Sequence, residues 1–198
     1  MHFTADQRRI LLDLARHTIR TELGESDNGT PAPFEISLDD AILNQPAGCF
    51  VTLHNLLNRR LRGCVGRLDA KDALVEAVRH SATHVLHDPR FVSFPVRRDD
   101  LPGLEIEITV IFPLRPAVDC QDFDLHNEGI YLTIQDRSGC FLPQVARDTG
   151  WSHQQLLERL CTEKLGLLAS AWQEPGAKLM KFHALIIGPE PFLITEAL

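Results

Sequence analysis

Leu61-Arg62-Gly63-Cys64-Val65-Gly66 sets a thiol between two glycines and beside a guanidinium. With a side-chain period of two, this stretch reads as a strand carrying Arg62 and Cys64 on one face and Leu61 and Val65 on the other. Phe50-Val51-Thr52-Leu53-His54 reads as a second strand. The short connection containing Asn58 makes the two antiparallel neighbours. Leu61 and Val65 are then expected to face the core, leaving Arg62 and Cys64 to share the opposite environment. Gly63 and Gly66 permit backbone conformations closed to other residues, or the close approach of a ligand.

Working outward, Thr4 and Gln7 form a capping box for a first helix with Ile10, Leu11, Leu14 and Ile19 on one face and Gly24 as its stop. Residues 24–35 read as a polar, mobile loop. It contains the sequon Asn28-Gly29-Thr30, which signifies only a turn in a chain that is not exported. Asp39–Leu43 reads as one helical turn. Ala70–Leu86 reads as a helix capped by Asp69 and stopped by Pro89. Glu105–Phe112 alternates, with Ile106, Ile108, Val110 and Phe112 on one face and Glu105, Glu107 and Thr109 on the other, as in a half-buried antiparallel strand. A hairpin is expected from Ile130–Ile134 and Cys140–Leu142, turning around Asp136-Arg137-Ser138-Gly139. Ser152 and Gln155 open a further helix that Gly166 ends, and Leu179–Ile187 forms a last strand. The order of elements predicts an α+β fold, mainly antiparallel sheet with flanking helices.

The chain has 198 residues, enough for one domain with a full core, and no internal repeat. Its net charge of −7 disfavours non-specific binding to nucleic acid or to an anionic membrane surface. Positive charge is nevertheless concentrated at Arg59, Arg60, Arg62 and Arg67, around the hexapeptide. No apolar run reaches membrane-spanning length, and Met1–Arg9 lacks the basic and apolar regions of a secretory signal. The five cysteines are odd in number and contain no C-x-x-C pair, so reduced thiols and a cytoplasmic location are expected.

Arg62 and Arg67 would favour a Cys64 thiolate if their charges lie close to it, making Cys64 a candidate nucleophile. His54, on the partner strand, is the candidate base. Asp88, Arg90 and Glu107 are expected around the same pocket. The competing reading is that Cys64 is a small packed hydrophobe, the commonest fate of a free cysteine. His80, His84 and His87 fall at i, i+4 and i+7, a spacing at which imidazoles can share a metal. They read more simply as a polar, solvent-facing stripe. Phosphate loop, dinucleotide fingerprint, nucleophile elbow and H-E-x-x-H are all missing, so neither a cofactor nor a metal is expected.

Several stretches together resemble one family. Phe50–His54 and Leu61–Gly66 are followed by Asp88-Pro89-Arg90-Phe91 and by Leu104–Val110. Leu142-Pro143-Gln144-Val145-Ala146 comes next, then Gly150-Trp151 and Leu160-Cys161. In this order they resemble the AMMECR domain family, whose members include the "AmmeMemoRadiSam system protein A" group. The match runs over about residues 6–190 of a single domain spanning 1–198. The resemblance implies an α+β fold in two unequal lobes and a cytoplasmic protein whose family has no settled biochemical activity. It implies genomic company with a radical S-adenosylmethionine protein and a Memo-like protein, hence pathway partners. It also carries a suspected functional site onto Arg62, Gly63, Cys64 and Gly66, and adds Gln144 as a ligand-binding candidate. His80, His84 and His87 depart from the alanine-rich helix usual in the family, and Val92-Ser93-Phe94-Pro95 departs from its usual proline-rich continuation.

Two classes of function follow. In one, Leu61–Gly66 is a ligand-binding or thiol-dependent catalytic site acting on a small molecule. In the other, the chain is a non-catalytic binding or adaptor module. An RNA-associated role, sometimes proposed for the family, fits the acidic composition poorly.

Overall fold

The computed structural model describes residues 3–24 and 40–193. Most of the expected polar loop, its sequon and Asp39 lie outside those residues. Along the chain run α1 (Ala5–Glu22), β1 (Gly48–Asn55), β2 (Leu61–Arg67), α2 (Leu74–Val85), β3 (Leu104–Ile111), β4 (Arg115–Pro116), β5 (Glu128–Ile134), β6 (Arg137–Phe141), α3 (Pro143–Thr149), α4 (His153–Arg159) and β7 (Lys178–Pro191). The fold is α+β, and it divides into two compact units, Met1–Ile111 with Leu185–Leu198, and Phe112–Ala184.

In the first unit the strands lie in the order β2-β1-β3-β7, and β1 pairs antiparallel with both β2 and β3. Helices α1 and α2 cover one face of this sheet. Val51 and Leu53 of β1 and Ile106, Ile108 and Val110 of β3 meet Leu11, Leu14, Ile19, Leu74, Val78 and Val85 in a core that excludes water. The capping box of α1 is present, with Gln7 N donating to Thr4 Oγ1 at 3.1 Å and Thr4 N donating to Gln7 Oε1 at 3.0 Å. Apolar periodicity did not anticipate the burial of Arg16. Its guanidinium donates to Asp13 at 3.0 Å and to Glu190 and the Pro191 carbonyl at 2.9 Å, which ties α1 to the end of β7.

Two expectations about the first unit need correction. The second helix begins at Leu74 rather than Ala70, and Ala73 stands at its cap in place of Asp69. Backbone groups that would have closed the extra turn bond elsewhere: Ala47 N reaches Asp72 O, Leu74 N reaches Gln45 O, and Val75 N reaches Leu43 O. Asp69 instead pairs with Arg67 and Lys71. The polar face of β3 is not solvated either, because Glu105 and Thr109 are buried alongside the apolar residues.

In the second unit β5 pairs with β6 on one side and with the first half of β7 on the other, both antiparallel, while β4 pairs with β7. The β5–β6 turn is tighter than the sequence suggests. It is made by Gln135 and Asp136, so Arg137 already pairs with Ile134. The expected capping box at Ser152 opens α4, which passes into a π-helical turn over Leu160–Leu165. Leu156, Leu157, Leu160 and Cys161 pack there against Ile130, Leu132 and Phe141.

Candidate functional site

The hexapeptide forms β2, at the edge of the first unit's sheet. Its register with β1 sets Thr52 opposite Cys64, Phe50 opposite Gly66 and Leu53 opposite Gly63. The pairing slips at the next step, where His54 meets Leu61, so Arg62 is the additional residue of a bulge. Alternation turns Gly63 towards α2, where an added Cβ would lie 2.7 Å from the Val85 carbonyl oxygen. A Cβ on Gly66 would lie 2.0 Å from the Cys49 carbonyl oxygen and 2.5 Å from the Phe50 Cα. Both glycines therefore serve close packing, with helix on one face and neighbouring strand on the other.

An edge strand leaves backbone donors and acceptors unpaired. At Cys64 these groups are taken up by two side chains from the turn after α2. Asp88 Oδ2 accepts from Cys64 N at 2.9 Å, and Arg90 Nη2 donates to Cys64 O at 3.1 Å. The two side chains hold each other as well, through Arg90 Nε to Asp88 Oδ1 at 3.0 Å and Arg90 Nη2 to Asp88 Oδ2 at 2.6 Å. Asp88–Arg90 thus does for Cys64 what a further strand would do. Burial alone would push the Asp88 carboxyl up. Hydrogen bonds from Arg90 and from the amides of Cys64 and Arg90 outweigh it and hold the group at about 2.

The Cys64 thiol is half-buried, and Thr52 Oγ1 donates to its sulfur at 3.3 Å. Burial raises its pKa; the Thr52 bond and the Arg90 charge work the other way, while Asp88 and Glu107 add to the rise. The thiol is therefore protonated at neutral pH. This reverses the expectation that Arg62 and Arg67 stabilise a thiolate. Arg62 is turned to the Phe94 carbonyl at 3.3 Å and to Asp100 at 3.5 Å, and Arg67 pairs with Asp69 and Asp72. The cationic charge acting on the sulfur is that of Arg90.

His54 lies two residues along β1 from Thr52, on the same face by alternation. Its Nδ1 is buried, without a hydrogen-bond partner among the described residues. Burial, and then the charge of Arg59, lower its pKa, with Glu105 opposing. The neutral ring is the favoured form, so the native state gains from His54 above pH 6.5 and loses that gain as the pH falls below it. An NMR titration of the histidine ring protons should find the His54 midpoint below 6.5.

Arg62, Gly63, Cys64, Gly66, Asp88 and Arg90 all lie along β2 and its clasp. Gln144 stands on α3, in the second unit. Thr52, which binds the sulfur, was not singled out by the sequence reading, although a strict two-strand register places it opposite Cys64. Of the three histidines at i, i+4 and i+7, His80 and His84 lie on α2 and stack with centroids 4.0 Å apart, while His87 falls beyond the helix end. Among the described residues no helix is long and apolar enough to cross a membrane.

Comparison with known proteins agrees with this architecture. A crystal structure of an uncharacterized protein from Pyrococcus horikoshii is similar with a TM-score of 0.76 and 30% identity, covering 89% of this chain and 88% of that one. A protein of Methanothermobacter thermautotrophicus is 33% identical over 191 residues, 91% of this chain and 93% of its own length. One from Methanocaldococcus jannaschii is 30% identical over 152 residues, 73% of this chain and 74% of its own. The AMMECR1 family pattern matches residues 12–187, a span that takes in the edge strand, its clasp and both units, and the chain belongs to the AMMECR1 family.

Proposed function

We propose that the Cys64 face recognises a small polar ligand, with the thiol taking part as a neutral hydrogen-bonding group rather than as a nucleophile. The observation that carries this reading is a half-buried thiol that accepts from Thr52 Oγ1, with the charges of Arg90, Asp88 and Glu107 acting on it. A purely packed cysteine has no need of such neighbours. A nucleophile would need its thiolate favoured, whereas burial outweighs the Arg90 charge at this sulfur and Arg62 and Arg67 are engaged elsewhere. The clasp uses Arg90 Nε and Nη2, so among the described residues the Nη1 hydrogens are open to an acceptor on the ligand. Screening polar metabolites by amide NMR tests the reading. A true ligand should shift Thr52, Cys64 and Arg90 together, and Arg90→Ala should weaken it at least about tenfold. Ligands that bind while these three signals stay still would contradict the proposal.

The adaptor reading has one observation of its own. Val92 and Phe94, just beyond the clasp, are 73% and 76% exposed. Large apolar side chains so exposed suit a protein partner, and the radical S-adenosylmethionine and Memo-like proteins are the candidates that the family resemblance suggests. Co-purification that survives Phe94→Asp unchanged would count against this second reading.

A further inference from the structure

We infer that the ligand of the Cys64 face is an amino carboxylate, a small zwitterion whose carboxylate meets Arg90 and whose ammonium, several bonds away, meets Glu107. This rests on the reading of that face as a small-molecule site. The strand register supplies the frame. Thr52 pairs with Cys64 on one side and with Glu107 on the other. Directly opposed residues share a face of the sheet, so Cys64, Thr52 and Glu107 form one row across β2, β1 and β3. Neighbouring strands stand about 4.8 Å apart, which sets the Glu107 backbone about 10 Å from that of Cys64.

Burial along the row marks where a ligand enters. Thr52 is buried and forms the floor, while Cys64 and Glu107 on either side are half-buried. On the same face of β3, Glu105 and Thr109 are buried, and Arg59 holds the Glu105 carboxylate. Glu107 is therefore the carboxylate of this strand that a ligand can reach. Two residues along β1 from Thr52, His54 Nδ1 is a buried polar atom that no described residue satisfies, as expected beside a face that takes a polar ligand.

The two ends of the row have opposite chemistry. Beyond Cys64 stands Arg90, bonded to the Cys64 carbonyl through Nη2. A guanidinium only donates and a carboxylate only accepts, so the matching ligand presents an acceptor at the β2 end and a donor at the β3 end. Asp88 is occupied by the Cys64 amide, the Arg90 amide and the Arg90 guanidinium, and it serves to hold Arg90. Glu107 has an interaction within the protein, but a carboxylate has about four lone-pair positions and accepts from an ammonium as well. A phosphate or dicarboxylate at Arg90 would meet repulsion from Asp88 and Glu107, with Arg62 and Arg67 turned to Asp100 and Asp72. An amino carboxylate brings one charge of each sign and matches both ends.

The test compares γ-aminobutyrate with butyrate by amide NMR titration of the full chain, with shifts at Thr52, Cys64 and Arg90 reporting occupancy. γ-Aminobutyrate should bind at least about tenfold more tightly, because its ammonium adds a charged hydrogen bond at Glu107. Glu107→Gln, which keeps the shape of the side chain, should erase that advantage and bring the two probes to one affinity. Equal affinities in the wild type, which need no variant to measure, would overturn the inference. So would an advantage that survives Glu107→Gln. In either case, joint shifts at Thr52, Cys64 and Arg90 would still uphold the small-molecule reading on which the inference rests. γ-Aminobutyrate that moves none of these amides would overturn it as well.

Discussion

Gly66→Ala should leave little folded protein. The new methyl group would stand 2.0 Å from the Cys49 carbonyl oxygen, 2.5 Å from the Phe50 Cα and 2.7 Å from the Phe50 ring. Two of these three atoms belong to the β1 backbone, so no rotamer change relieves the clash. β1 itself cannot retreat, because β3 pairs along its other edge and α2 packs on its face. Overpacking of a well-filled core costs about 1–3 kcal/mol, and a clash with backbone on this scale belongs at or above the upper end. Gly103→Ala is the matched control. Nothing lies within 4 Å of an added Cβ there, and its effect should stay within about 0.5 kcal/mol. Urea unfolding of the two variants measures the difference. Equal stability would mean that the β1–β2 register is not the one described.

Asp88→Ala should be nearly as damaging, for a different reason. The carboxylate is 3% exposed and receives the Cys64 amide, the Arg90 amide and the Arg90 guanidinium. Without it, a strand-edge N–H loses its partner, and Arg90 loses the group that orients it toward Cys64 O. Charged hydrogen bonds of this kind are worth about 1.5–3 kcal/mol each when lost. The effect must also depend on pH. The folded pKa of about 2 lies below the ordinary 3.8, so the carboxylate's contribution is complete above 3.8 and disappears as the pH falls through 2. A shift of that size corresponds to about 2 kcal/mol. Urea midpoints for wild type and Asp88→Ala should therefore converge in acid. A gap that stays constant from neutral pH down to 2 would show that the clasp does not depend on the charge.

Much of the fold was legible because its signals are local. Alternation in Phe50–His54, Leu61–Val65 and Glu105–Val110 marks three strands, and the capping boxes at Thr4 and Ser152 mark two helix starts. Two of the errors share one cause. Residues 70–73 are helix-compatible by composition, but their backbone groups are claimed by residues 43–47, a pairing that no local window contains. Glu105 reads as a solvent-facing residue until Arg59 is found bonded to it.

The site followed the same pattern. Cys64, Gly63, Gly66, Asp88 and Arg90 were all named from the sequence, yet their roles were not. Proximity in sequence gave Arg62 and Arg67 to the thiol, whereas ion pairs with Asp100 and Asp72 draw both side chains elsewhere. Proximity in space gave it Arg90, which is 26 residues away along the chain. Likewise, glycines that seemed to admit a ligand turned out to admit Val85 and Phe50.

The most direct test of this account is the rate at which Cys64 alkylates in the folded protein as a function of pH, resolved by mass spectrometry. A protonated thiol held by burial should react slowly at neutral pH, with a midpoint above the roughly 8.5 of a free cysteine. Asp88→Asn should accelerate the reaction, because the clasp loosens and a negative charge leaves the sulfur's surroundings. Arg62→Ala should not change it, since that guanidinium is directed at Asp100. A Cys64 that alkylates fast at pH 7 with a midpoint below 8.5, and slows when Arg62 is removed, would contradict the account and restore the thiolate reading.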